Sequence, residues 1–105
     1  MYDELHVFII QGMRMTICEV IGNVWATKKE QSLCGLKLMI VRELNPSGDS
    51  WGRPFVAADV VGAGVGEKVL VVSGSTARRA FGKEELSVDA AIVGIIDSVE
   101  VVKDT

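Results

Sequence analysis

The chain has 105 residues, 14 acidic against 11 basic, a net charge of −3, and 49% hydrophobic residues of which few are aromatic. That length supports one domain with one modest core, and the charge lacks the basic excess by which nucleic-acid binders meet phosphate. No apolar run approaches the roughly 20 residues that cross a bilayer, and Cys18 and Cys34 with a single histidine cannot build a zinc site of usual type.

Residues 1–14 differ in character from the rest of the chain. Val7 to Ile10 form a short apolar patch preceded by Asp3 and Glu4. A secretory signal needs a positive start and a longer apolar centre, so this segment does not read as one. It is expected to be a poorly ordered extension to about residue 12, the other reading being an added edge strand. Met15 to Thr27 is rich in β-branched residues and reads as a long strand bent or bulged at Gly22. Lys28, Lys29 and Glu30 come next as a solvated turn.

Leu36 to Leu44 alternates. Leu36, Leu38, Ile40 and Leu44 share one face, interrupted by Arg42; Lys37, Met39, Val41 and Glu43 share the other. The mixture of charge and apolar bulk on the second face suits a strand half covered by a neighbour. Asn45-Pro46-Ser47-Gly48-Asp49 is a turn signal. Trp51 reads as a surface packing residue rather than a ligand stack. Pro54 to Val61 is a third strand. Asp59 near its end is a lone carboxylate, better placed to accept amides of the loop after it than to catalyse or hold a metal.

That loop, Gly62-Ala63-Gly64-Val65-Gly66-Glu67, carries glycines at alternate positions. A dinucleotide fingerprint needs a helix immediately after its glycines, and here Lys68 to Ser73 reads as strand instead. The glycines therefore serve positive φ or close backbone approach. A plain turn is favoured from the residues alone, with convergence of several copies on a symmetry axis as the alternative.

Ser75 to Gly82 has a helix's punctuation, with Ser75 as cap and Gly82 as terminator. Ser73, Ser75 and Arg78 could bind an anion there; capping, with Arg78 in an inter-subunit ion pair, is the favoured reading. Lys83 to Ser87 reads as a charged loop. Val88 to Val102 closes the chain as a long strand, where Val99 and Val101 alternating with Glu100 and Val102 suggest an edge with one wet face. Residues 103–105 are a polar tail.

Short strands with turn signals and one inserted helix point to a mainly β fold, a small five-stranded β-barrel of OB type. The aliphatic content exceeds what so small an interior can hold, which favours burial between subunits. The two cysteines read as buried free thiols of a reducing compartment, ahead of a disulfide. No nucleophile–base pair, carboxylate pair or metal cluster is visible, so no catalytic, metal or cofactor-binding residue is assigned and no enzyme is expected. An OB barrel leaves a single-stranded nucleic-acid-binding module as the alternative function, although the stacking aromatics are missing.

The segments VIGNVWATKK, LCGLKLMIVRELN, FVAADVVGAGVGEKVLVVSGSTAR and VDAAIVGIIDSV, taken together, resemble the bacterial microcompartment vertex proteins, the EutN/CcmL family. The likeness runs from about Met15 to Val99 and is most specific from Asp59 to Arg78; residues 1–14 have no counterpart in it. It places a vertex domain at 15–102. The resemblance implies a barrel assembling as a cyclic homopentamer at the corners of a polyhedral protein shell in the bacterial cytoplasm. Its partners would be copies of itself and hexameric shell proteins, without cofactor, nucleic acid or membrane. The glycine loop, Gly62 to Glu67, then gains weight as a feature of the five-fold axis.

Overall fold

The structure, a computed structural model, describes residues 8–10, 13–27, 29, 31–33, 35–74 and 89–102. Its strands are β1 Phe8–Ile10, β2 Met13–Val24, β3 Lys37–Glu43, β4 Phe55–Asp59, β5 Lys68–Gly74 and β6 Ala90–Ile95. Among the described residues the one helical element is a 3-10 turn, Gln31–Leu33. The helix expected at Ser75 to Gly82, with Ser75 and Arg78, lies outside the described residues, as do Cys34 and the charged loop at 83–87.

β2 is the spine. One of its edges carries β5 from Met13 to Glu19, and the other carries β3 from Cys18 to Val24. The order β1-β2-β3-β4-β6-β5, with β5 returning to β2, closes β2 to β6 into a five-stranded barrel. All neighbours are antiparallel except β4 and β6, which run parallel and meet only at Ala58↔Ala91 and Asp59↔Ile92. β3 leaves the first residues of its edge of β2 bare, and β1 fills that strip through Phe8↔Met15 and Ile10↔Met13. The expectation of poor order to about residue 12 thus gives way, for Phe8–Ile10, to the added edge strand. Unpaired backbone groups along β2 supply the reason.

Two bulges curl the sheet. Val20 faces Val41 and Gly22 faces Ile40, so Ile21 is the extra residue, as the glycine suggested. In β6, Val93 is extra between the Val71↔Ile92 and Leu70↔Gly94 pairs. An extra residue on one strand sharpens the local twist, which a barrel this small needs to close.

The interior is aliphatic and finely packed. Cys18 and Val20 of β2, Met39 and Val41 of β3, Ala57 of β4, Val69 and Val71 of β5 and Ile92 of β6 are fully buried in one cluster, with Phe55 against it. On β3 this settles which of the two alternating faces is the inner one. The face with Lys37, Met39, Val41 and Glu43 lies inside the barrel, and Leu36, Leu38 and Ile40 are half-buried outside. Its two charged residues sit at the ends of the strand, where the barrel opens, roughly 20 Å apart. Lys37 meets Asp59 across β4 at 3.3 Å, and Glu43 meets Arg14 of β2 at 3.4 Å. A second small cluster, Val72 and Ala91 with Met15 and Val93, packs outside the barrel.

The strand ends also shift. β4 stops at Asp59 rather than Val61, because the Asp59 side chain draws the next amides into a loop. β6 stops at Ile95, seven residues short of the expected Val102. The last backbone bond to the barrel is from Ile96 N–H to the Lys68 carbonyl, and residues 97–102 have no strand partner among the described residues. The turn at Asn45 to Asp49 forms as expected, its Asn45 Oδ1 accepting the amides of Ser47 and Asp49.

Cys18 is a free, fully buried thiol beside Thr16. Burial pushes it up from its ordinary 9.0 to about 11; the Thr16 contact and Arg14 pull it down and Glu43 pushes it up. The folded chain therefore holds the thiol proton more tightly than the unfolded one. This contribution to stability is intact below pH 9 and is lost as pH rises through about 11. Urea midpoints of the wild type should fall more steeply across that window than those of Cys18→Ala. In a Cys34→Ala background the native chain should also resist thiol reagents that label the unfolded chain at once.

Candidate functional site

At one mouth of the barrel the chain from Val60 to Glu67 folds back over the interior. Asp59 ends β4 pointing inward, opposite Lys37 in the β3–β4 register. Its side chain is 0% exposed and that of Lys37 is 50% exposed. Oδ1 accepts the amides of Val61 and Gly62, both at 3.0 Å, and Oδ2 accepts that of Ala63 at 2.7 Å. Lys37 Nζ donates to the Ala63 carbonyl at 2.7 Å, so one ammonium holds both the carboxylate and the loop. Ala63 is fully buried and joins the barrel core, closing this mouth from above.

The second half of the loop is tied to β2. Gly66 N–H donates to the Val20 carbonyl and Val20 N–H to the Glu67 carbonyl. Gly64 to Glu67 is a tight turn closed by Glu67 N–H on the Gly64 carbonyl, while Gly64 N–H donates to Glu67 Oε1 at 2.6 Å. Gly66 takes φ 94° and Gly62 takes φ 84°, conformations that a side chain resists. Gly64 does not lie in that region, and a Cβ there would meet only Glu67 Oε1 at 3.4 Å. Within one chain, therefore, neither backbone angle nor crowding requires glycine at 64.

Among the described residues, every amide from Val61 to Glu67 except that of Val65 donates to an acceptor of the chain itself. Donors spent in this way cannot cradle a phosphate. The loop exposes aliphatic side chains, Val65 at 57% on its tip with Val60 and Val61 beside it, and Glu67 is its exposed charge.

The structure gathers Gly62, Ala63, Gly64, Val65, Gly66 and Glu67 in this one loop. Ser73 is not with them. It sits near the far end of β5, roughly 17 Å away along the strand, paired with Arg14 and with its hydroxyl 3.4 Å from the Arg14 carbonyl. Ser75 and Arg78 lie outside the described residues, so an anion site of Ser73, Ser75 and Arg78 is not assembled here. Two features were not singled out from sequence. Lys37 could have been found from its alternation with Met39 and Val41, since an inward charge needs a partner. Trp25, 90% exposed just past the end of β2, has no periodic signal at all. Trp51 is exposed, and its N–H donates to the Glu43 carbonyl.

The chain matches, over residues 15–97, the family described as "Ethanolamine utilisation protein EutN/carboxysome". It is 47% identical over 88 residues to the bacterial microcompartment shell vertex protein GrpN of Rhodospirillum rubrum, covering 84% of this chain and 99% of that one. It is 47% identical over 87 residues to the carboxysome shell vertex protein CcmL of Synechococcus elongatus, covering 83% of this chain and 88% of that one. Among solved structures, the pentameric microcompartment shell protein GrpN superposes with a TM-score of 0.75 at 44% identity, over 83% of this chain and 99% of that chain. CcmL of Gloeobacter violaceus gives 0.77 at 42% identity, over 82% and 89%.

Asp59→Ala removes the acceptor of three amides and of an ammonium together. It should lower unfolding free energy by about 2–4 kcal/mol and speed hydrogen exchange at Val61, Gly62 and Ala63. Unchanged denaturation and exchange would show that the bonds to Val20 alone hold the loop.

Proposed function

Because this chain belongs to the EutN/CcmL family, we propose that it is a vertex protein of a bacterial microcompartment shell and works as a homopentamer. The observation that carries this reading is the end-to-end match to GrpN, a pentameric shell protein that this chain covers over 99% of its length. The site is in keeping with a structural rather than a catalytic role. Its carboxylate and ammonium are spent on each other and on the loop backbone, and Val60, Val61 and Val65 stand exposed around it.

Geometry gives such a protein its task. Six-fold tiles make flat facets, and a closed shell needs five-fold units where curvature concentrates. A ring of identical chains closes when the rotation between neighbours divides a full turn, and each copy then offers two dissimilar surfaces. The partners are thus four further copies and, around the ring, hexameric shell proteins, within the bacterial cytoplasm. We place the loop Gly62, Ala63, Gly64, Val65, Gly66 and Glu67 around the axis. There, glycine at 64 makes room for neighbouring backbones that a single chain does not contain. Ser73, Ser75 and Arg78 would lie toward the contact between copies.

Native mass spectrometry of the purified protein should show five copies per particle. A stable monomer at micromolar concentration, or a six-fold particle, would refute the assignment. Gly64→Val separates the loop's two roles. It should leave the fold intact yet abolish rings, whereas Gly66→Val, at φ 94°, should cost the fold itself about 1–2 kcal/mol. Normal pentamers from Gly64→Val would remove the loop from the axis.

A further inference from the structure

Residues 97–102 are the part of the chain that the barrel does not use. They leave the barrel after Ile96 and form no backbone hydrogen bond to the described residues. Val99, Val101 and Val102 are exposed, Val102 at 84%, and Asp97 and Glu100 are the charges among them. In sequence this is a strand; among the described residues it has no strand to pair with. It leads toward Ile17 and the Asn45 to Gly48 turn.

A groove of about 410 Å³ lies elsewhere, where β2 and β3 end beside the 3-10 turn. Val24, Trp25, Leu36 and Leu38 give it apolar walls and Lys29 gives it positive charge, the Lys37 ammonium being held by Asp59 and the Ala63 carbonyl; among the described residues that line it, none is acidic. Trp25 is the most exposed large apolar side chain among the described residues. The groove and the segment are complementary in both respects, valines against aromatic and leucine, carboxylates against the Lys29 ammonium. They cannot meet within one chain as it stands. Trp25 is about 26 Å along β2 from Ile17, and the segment runs the other way.

We propose that residues 97–102 of each copy seat in the Trp25 groove of the next, Glu100 meeting Lys29 while Val99 and Val101 cover Trp25. This rests on the pentamer reading and supplies it with the two unlike surfaces that a head-to-tail ring requires. The segment then finds in its neighbour the apolar cover that its own barrel withholds.

Trp25 reports the contact directly in a Trp51→Phe background, where it is the sole indole. In the full-length ring its emission should be blue-shifted and shielded from acrylamide. In a chain ending at Asp97 it should be red-shifted and freely quenched, and the ring should fall apart at a protein concentration about tenfold or more higher. Val101→Glu, which keeps the chain length, should reproduce both changes. Five-copy particles in native mass spectra, with Trp25 equally quenched in all three proteins, would overturn the docking and leave the pentamer standing. A full-length monomer would overturn the pentamer and the docking with it.

Discussion

The Asp59 carboxylate is shut away from solvent at the mouth of the barrel, and a charge so placed must find its partners inside the protein. The chain supplies them at close range: three consecutive amides after the strand, and one ammonium from the strand alongside. Much else depends on that arrangement. β4 ends where it does because its last side chain collects the backbone that comes next. Ala63 is carried into the core by the same bonds, and Gly62 is needed because a chain wrapped so tightly around one carboxylate has to pass through a left-handed conformation. Lys37 adds the counter-charge and catches the Ala63 carbonyl, so that loop and sheet form one unit.

Several of these features were legible from residues alone. Asp59 before a glycine-rich loop reads as an acceptor for that loop's amides, and a strand after the glycines already argues against a phosphate cradle. Gly22 marked its bulge. The orientation of β3 was harder, because both faces mix polar and apolar residues and only a closed barrel makes the face bearing two charges the inner one. Those charges lie at the strand's two ends, each at a mouth of the barrel, and alternation carries no information about where a strand stops. The last strand was overextended for a related reason: DSVEVV has the pattern of a strand, but pattern does not say whether a neighbour exists within the chain.

Assembly stands apart from these. Nothing in the spacing of residues 15–102 specifies five copies, and only the likeness to a known family pointed there. The physical trace that assembly leaves on the single chain is a set of aliphatic side chains facing water where the barrel has no use for them, from Val60, Val61 and Val65 at the glycine loop to Val99 and Val102 at the end. Gly64 is a small residue where the isolated chain would accept a larger one.

The seam between β4 and β6 has a mechanical meaning. Every other join of the barrel is a ladder of five or more residue pairs, whereas this one holds by Ala58↔Ala91 and Asp59↔Ile92, with Val60 N–H on the Ile92 carbonyl beyond them. Load on the molecule concentrates at its shortest join, so bending of the barrel wall would be absorbed there first. The glycine loop springs from that same join, so a shift of the seam is carried directly into the loop.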